Sequence, residues 1–205
     1  GLQKISVANV KEVPITFEGK ALFNIQNALA AVAATKALGM DEIQIKNGLM
    51  SFYPSVEQSA GRMNMINMGN FKVLIDYGHN PGAILATGEF IKSFAPGRII
   101  RLSAASGNRR EVDILDFAAS IAKYSDHVVL CDSDPRGKEL GATPELERCG
   151  LLDNGFAEHE ITLVLDEREA ALTCLQMAQK GDLVVLQVDD IDQIVKDVLD
   201  YKNKL

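Results

Sequence analysis

A carboxylate, an imidazole and a carboxamide stand close together in Asp76-Tyr77-Gly78-His79-Asn80-Pro81. They offer a fixed negative charge, a ring that can carry a proton near neutral pH, and a cap for a helix. The run Val73-Leu74-Ile75 before them reads as a buried strand. Pro81 suits the first turn of a following helix, where no amide hydrogen is needed. The pattern therefore sets Asp76, His79 and a helix N-terminus at the carboxyl end of one strand. In open α/β sheets that end binds ligands, and helix amides there favour anions such as phosphate. The same residues would also serve an ordinary strand-to-helix turn closed by a capping Asn80, and spacing alone leaves both readings open.

Two more polar stretches follow candidate strands, Ser103-Ala104-Ala105-Ser106-Gly107-Asn108-Arg109-Arg110 and Asp132-Ser133-Asp134-Pro135-Arg136-Gly137-Lys138-Glu139. Strand ends of a parallel sheet share one rim, so both stretches belong beside Asp76 and His79. Asp132, Asp134 and Glu139 are suited to a cationic acceptor such as arginine, because guanidinium pairs well with carboxylates. A solvated acidic loop is the plainer reading of the same residues.

The elements that must position these groups are legible from periodicity. Strands are expected at Met63–Met68, Phe71–Asp76, Arg98–Ser103, His127–Cys131, Ile161–Leu165 and Leu183–Val188. Helices are expected at Pro81–Phe94, Arg110–Tyr124, Pro144–Asn154, Glu167–Lys180 and Ile191–Tyr201. Regular alternation predicts a Rossmann-like α/β domain, a mostly parallel six-stranded sheet flanked by helices. Only Gly69-Asn70 separates the first two strands, so the first should pair antiparallel in a hairpin. Upstream, residues 4 to 18 alternate Ile5, Val7, Val13, Ile15 and Phe17 with polar residues around Pro14 and read as one or two edge strands. Asn24–Leu38 reads as a helix ended by Gly39, and a second helix should run from a capping Asp41 to about Met50. Ser51–Ala60 loses periodicity and reads as a linker, giving domains 1–60 and 61–205.

Composition narrows the class. The chain has 205 residues, 47% hydrophobic and 24% charged, which describes a globular protein and not a disordered one. A net charge of −7 without a dense Lys/Arg stripe disfavours nucleic acid as a partner. No apolar run approaches the ~18 residues of a membrane span, so no membrane partner is expected. Cys131, Cys149 and Cys174 are too far apart for a zinc site or a disulfide framework, which fits a reducing cytoplasm and small core cysteines. His127 and His159 read as structural, and no metal-ligand spacing occurs. The chain begins at Gly1 and not Met, which reads as a cut from a longer protein.

Asp76-Tyr77-Gly78-His79-Asn80-Pro81 resembles the Asp-(Tyr/Gly)-(Ala/Gly)-His-Asn-Pro signature in the C-terminal domain of the Mur ligase superfamily. That superfamily comprises the peptidoglycan amino-acid ligases, folylpolyglutamate synthetases and cyanophycin synthetases, all ATP-dependent amide-bond formers. Phe23-Asn24-Ile25-Gln26-Asn27-Ala28-Leu29-Ala30-Ala31 resembles the His-Asn-x-x-Asn-x-x-Ala-Ala segment ending the central ATPase domain, with Phe23 in place of the histidine. Gly61-Arg62-Met63-Asn64 resembles the Gly-Arg-(Met/Phe)-(Glu/Asn) that opens the C-terminal domain. The Ser103 and Asp132 stretches resemble the Gly-x-Arg-Arg loop and the Asp-x-Pro-Arg acceptor motif. Their wording, with Phe23, is most like the cyanophycin synthetase branch.

What the resemblance implies is specific. ATP phosphorylates a carboxylate, and an amine attacks the acyl phosphate; in this branch arginine joins aspartate side chains of a poly-aspartate primer. Asn27 would contact adenine, apt for an amide that donates and accepts. Arg62 would reach the phosphates, Asp76 the ribose or a water-mediated Mg²⁺ contact, and His79 the reacting phosphate region. Asn80 and Arg136 would position the incoming amino acid, with Arg109, Asp132 and Asp134 beside them. No Gly-x-x-x-x-Gly-Lys-Ser/Thr loop occurs in the 205 residues. ATP and Mg²⁺ would then be held mainly by a part of the central domain outside them, and these residues alone should lack ligase activity. A peptidoglycan or folate ligase, or a non-catalytic nucleotide- or amino-acid-binding module, remain alternatives, and the sequence leaves a homo-oligomer open.

Overall fold

The computed structural model describes residues 6–205. Their contacts divide into two compact units, one ending at Pro54 and the other running from Ser55 to Leu205. In the first unit, α1 (Leu22–Ala37) and α2 (Glu42–Ser51) follow two single turns of 3₁₀ helix at Val10–Glu12 and Pro14–Thr16. These turns replace the strands expected over residues 4 to 18, and Ile5 lies outside the described residues. The reason is local: Asn9 caps the Lys11 amide at 3.0 Å, and the Thr16 hydroxyl donates to the Val10 and Val13 carbonyls at 2.6 and 2.8 Å. Side chains thus satisfy backbone groups that a strand would have offered to a neighbour. Helix α2 opens where expected, on an Asp41–Gln44 capping box.

In the second unit a short helix, α3 (Val56–Ser59), occupies part of the expected linker. Strands β1 (Asn64–Asn67) and β2 (Lys72–Asp76) form the expected hairpin. Gly69 takes φ +92° at the first central position of the turn, the pattern of a type II′ hairpin. Then come α4 (Pro81–Lys92), β3 (Ile99–Ser103), α5 (Glu111–Ala122), β4 (His127–Leu130), α6 (Ala142–Asp153), β5 (Ile161–Leu163), α7 (Glu167–Met177), β6 (Leu183–Gln187) and α8 (Ile191–Lys202). The sheet order is β1-β2-β6-β3-β4-β5, and only β1 is antiparallel.

One apolar cluster joins Ile75, Ile100, Leu102 and Leu186 to α7 and α8; another joins Val128 and Leu130 to α4, α5 and α6. The sheet is thus covered on both faces, as its nearly continuous apolar strands require. The chain steps outward through β3 and β4 with α4, α5 and α6 on one face. It returns to the sheet centre at β6 with α7 and α8 on the other, which keeps each parallel crossover right-handed. Loops leaving β2 and β3 therefore turn to one face while the loop leaving β6 turns to the other. A crevice opens where neighbouring strands diverge in this way. Cys131 and Cys174 are buried as expected of core cysteines, whereas Cys149 is exposed on the outer side of α6. Buried His127 is structural, tied to Glu160 at 2.7 Å and Thr162 at 3.0 Å.

Leu186 is fully buried at the centre of the sheet. Leu186→Ala should lower unfolding free energy by roughly 2–5 kcal/mol in urea titrations; a loss below 1 kcal/mol would show that the core there is slack.

Candidate functional site

Asp76 ends β2 and is almost wholly buried. Its Oδ1 accepts the Met63 amide at 3.2 Å and its Oδ2 accepts the Gly78 amide at 3.1 Å. Burial raises its pKa above the ordinary carboxylate value, against the opposing pull of these amides and of Arg62. The hairpin register sets Met63 opposite Asp76, and one step further the Tyr77 amide donates to the Gly61 carbonyl at 2.9 Å. Arg62 lies over the Tyr77 ring, 5.1 Å from its centre. Asn64, buried, shapes this loop by accepting the Gly61 amide at 2.7 Å and donating to the Ser59 carbonyl at 3.0 Å. Gly61 has φ +69°, and a β-carbon there would meet Ile191 at 2.5 Å.

His79 donates through Nδ1 to the Tyr77 carbonyl, because a carbonyl can only accept. Its Nε2 lies 3.5 Å from Asp189 Oδ1, an ion-pair distance without hydrogen-bond alignment. Asp189 Oδ2 accepts the Ser133 hydroxyl at 2.6 Å. Asp189 thus touches groups from the β2 and β4 loops while belonging to the β6 loop. Glu167, at the head of α7, fixes that loop by accepting the Asp189 and Asp190 amides at 2.7 and 3.0 Å. Asn80 caps α4, accepting the Ala83 amide at 2.9 Å.

The β3 and β4 loops meet backbone to backbone. A β-carbon on Gly107 would lie 2.2 Å from the Pro135 carbonyl oxygen, so no side chain fits there. Arg109 is half-buried in the first loop, its amide bonded to the Ser106 carbonyl at 3.1 Å. In the second, Asp132 is buried and closes the loop by accepting the Gly141 amide at 2.7 Å. Asp134 and Arg136 pair with each other through Arg136 Nε, half-exposed, with Arg136 at φ 51°. The structure brings Arg62, Asp76, His79 and Asn80 together directly, and joins Asp132, Asp134, Arg136 and Arg109 through the Gly107–Pro135 contact.

Asn27 belongs to the first unit. Its Nδ2 donates to Asn24 Oδ1 at 3.3 Å, and Asn24 is buried and holds the Ile15 carbonyl at 2.8 Å. Asn27 lines an apolar groove of about 420 Å³ with Ala28, Ala31, Val32, Ile45 and Phe52. Thr35 and Gln44 add the other polar side chains of its lining. Among the described residues no group of three or more His, Cys, Asp or Glu is placed to hold a metal ion.

Asp189, Glu167, Gln187, Arg101 and Glu147 escaped the sequence reading. Arg101 and Gln187 did leave a signal, each being a polar residue within an otherwise apolar parallel strand. Glu147 left a weaker one, lying at helical spacing on the face of α6 that also carries Pro144, Gly150 and Leu151. It is fully buried, accepts the Ser103 hydroxyl and the Ala105 amide (3.1 Å), and burial pushes its pKa up to about 7.

Comparison with known proteins is direct for the second unit. Residues 61–187 match the family model of the Mur ligase glutamate ligase domain. The chain belongs to the Mur ligase family. It is 34% identical over 199 residues to a cyanophycin synthetase of Geminocystis herdmanii, covering 96% of this chain and 22% of that protein. It is 33% identical over 166 residues to a UDP-N-acetylmuramyl-tripeptide synthetase of Borreliella burgdorferi, covering 80% and 32%. It therefore spans about a fifth to a third of the length of these relatives. The fold matches the UDP-N-acetylmuramate-alanine ligase of Thermotoga maritima (TM-score 0.66, 19% identity, 90% of this chain and 39% of that one). It also matches E. coli FolC in complex with ADP (TM-score 0.65, 21% identity, 87% and 40%). Among the described residues no helix is long and apolar enough to cross a membrane.

Glu147 makes stability depend on pH. Its folded pKa of about 7 exceeds the ordinary glutamate value of 4.5, so the folded state holds the proton more tightly. Its contribution is intact below about pH 4.5 and is lost as pH rises through 7, by at most roughly 3 kcal/mol. Urea midpoints of wild type and Glu147→Gln between pH 4.5 and 8 should diverge, with the variant lacking this fall; parallel curves would refute the assignment.

Proposed function

We propose that this chain is the amino-acid-side portion of an ATP-dependent carboxylate–amine ligase of the cyanophycin synthetase type, joining arginine to aspartate side chains of a peptide or polymer primer. The observation that carries this reading is the 34% identity over 96% of the chain to a cyanophycin synthetase. The other Mur-type relative named above covers only 80% of the chain. Residues 1 to 60 are assigned to the end of the central ATPase domain and residues 61 to 205 to the C-terminal domain.

When bound, ATP supplies the phosphoryl group that activates the acceptor carboxylate, and amide formation then releases phosphate. Asn27 is assigned to the adenine edge, supported by the apolar groove it lines. Arg62 is assigned to phosphate oxygens. Its permanently charged fork suits phosphate, and the Tyr77 ring restrains it. The buried Asp76 holds the Met63 and Gly78 amides, so it orients both Arg62 and His79 and remains the candidate for the ribose or a water-mediated Mg²⁺ contact. His79, held through Nδ1 by the Tyr77 carbonyl, is assigned to the reacting phosphate region. Asn80 and Arg136 would orient the incoming amino acid, with Arg109, Asp132 and Asp134 forming the rest of that wall. Rate enhancement would come from positioning and charge stabilisation, with no covalent enzyme intermediate.

The test is phosphate release by the full-length protein with ATP, a β-Asp-Arg primer and either arginine or aspartate. Arginine-dependent release should occur, and both Asp76→Ala and the exposed Arg136→Ala should reduce it at least about 100-fold. Arg62→Ala should raise KM for ATP about tenfold or more. Turnover with neither amino acid would overturn the cyanophycin reading and point to peptidoglycan or folate acceptors.

A further inference from the structure

Between β3, β6 and the helices of one face lies a guanidinium with no exposure at all. Arg101 Nε donates to the Ser125 hydroxyl at 2.9 Å, and its Nη1 donates to Gln187 Oε1 at 2.8 Å. Its Nη2 has no hydrogen-bond partner among the described residues. The other end of the Gln187 amide is equally engaged, Nε2 donating to the Gly78 carbonyl, and Gln187 is itself buried. Three strands are joined in this way: β3 through Arg101 at its middle, β6 through Gln187 at its end, and β2 through the turn after Asp76 that carries Gly78 and His79.

Stability does not account for the arrangement. A buried ionic group replaced by apolar side chains of similar volume is often neutral or stabilising. Burial lowers the Arg101 pKa only to about 10, with Asp76 and Glu147 favouring the charged form, so the guanidinium keeps its charge near neutrality. A charged donor fixes the amide orientation of Gln187, since Oε1 must face Arg101 and Nε2 must then face Gly78. An amide held only by neutral partners could rotate by half a turn.

We propose that Gln187, oriented by the buried Arg101, is a positioning residue for the Gly78–His79 turn and so sets the aim of His79 and the Asp76 carboxylate in the ligase reaction. The inference rests on the ligase reading for its catalytic consequence and on the geometry alone for the turn. It assigns a role to the centre of the sheet that the motif residues do not carry. Tightening or loosening this link moves the turn without touching any residue that meets substrate.

Two substitutions in the full-length protein separate positioning from scaffolding. Gln187→Glu keeps the size and the acceptor that Arg101 needs but loses the donor to Gly78. Gln187→Met loses both. Positioning predicts that Gln187→Glu melts within a few degrees of wild type yet turns over about 10- to 100-fold more slowly. A scaffolding role ties turnover to melting temperature, so Gln187→Glu would keep wild-type turnover and only Gln187→Met would fall; that result overturns the proposal. Hydrogen exchange of the Tyr77–Ala83 segment gives a readout independent of turnover. If the wild type shows no ligase turnover, the ligase reading fails while exchange still decides the turn: faster exchange in Gln187→Glu sustains the link, and unchanged exchange ends it.

Discussion

The buried carboxylate of Asp76 holds the second unit's rim together. It is the last residue of a strand, and its two oxygens accept amides from opposite sides, Met63 before the hairpin and Gly78 after it. A carboxylate removed from water needs such donors, and each amide removed from strand pairing needs an acceptor. One side chain therefore settles the path of both segments that flank β2. Arg62 is left over the Tyr77 ring, and His79 is left bonded to the Tyr77 carbonyl. Replacing this carboxylate by an apolar group would leave two amides and the local turn without partners.

From that staple the polar network spreads through the sheet without reaching solvent. Arg101 is favoured in its charged form by Asp76 and Glu147, Gln187 bridges it to Gly78, and Glu147 holds Ser103 and Ala105 at the base of the β3 loop. Above the network, Asp189 meets Ser133 and approaches His79. The β2, β3, β4 and β6 exits are thus linked by side chains from below and at the rim, beside the crevice where successive loops diverge to opposite faces. The arrangement favours precise placement over flexibility, which suits chemistry that relies on alignment of reactants.

Much of this was legible in the sequence, and the pattern of what was not is physical. All six strands and all five helices after residue 60 follow from apolar periodicity, because a sheet covered on both faces demands unbroken apolar strands. The Asn80 and Asp41 caps were legible because capping is a local rule. Residues 6 to 18 misled because alternating side chains resemble a strand, while Asn9 and Thr16 compete for the backbone and win. Motif residues could be located on a shared rim, but their partners could not. Gln187 and Arg101 are 86 positions apart, and only sheet order makes them neighbours. Glu147 shares its helix face with Pro144, Gly150 and Leu151, but its neighbours Glu145 and Arg148 give the segment the look of a solvated one.

The hairpin contributes something beyond a strand pair. From Asn67 opposite Lys72 to Asn64 opposite Ile75, the ladder counts residues outward from the Gly69-Asn70 turn. Continued one step, that count delivers Met63 to Asp76. Side chains in a strand alternate faces, so a shift of a single residue would present the wrong face at every rung. The turn is thus a length gauge for a site at the far end of the strands. Its spelling can drift wherever a positive φ at position 69 is still tolerated, but its length cannot, and an insertion or deletion there would misalign Arg62 from a distance.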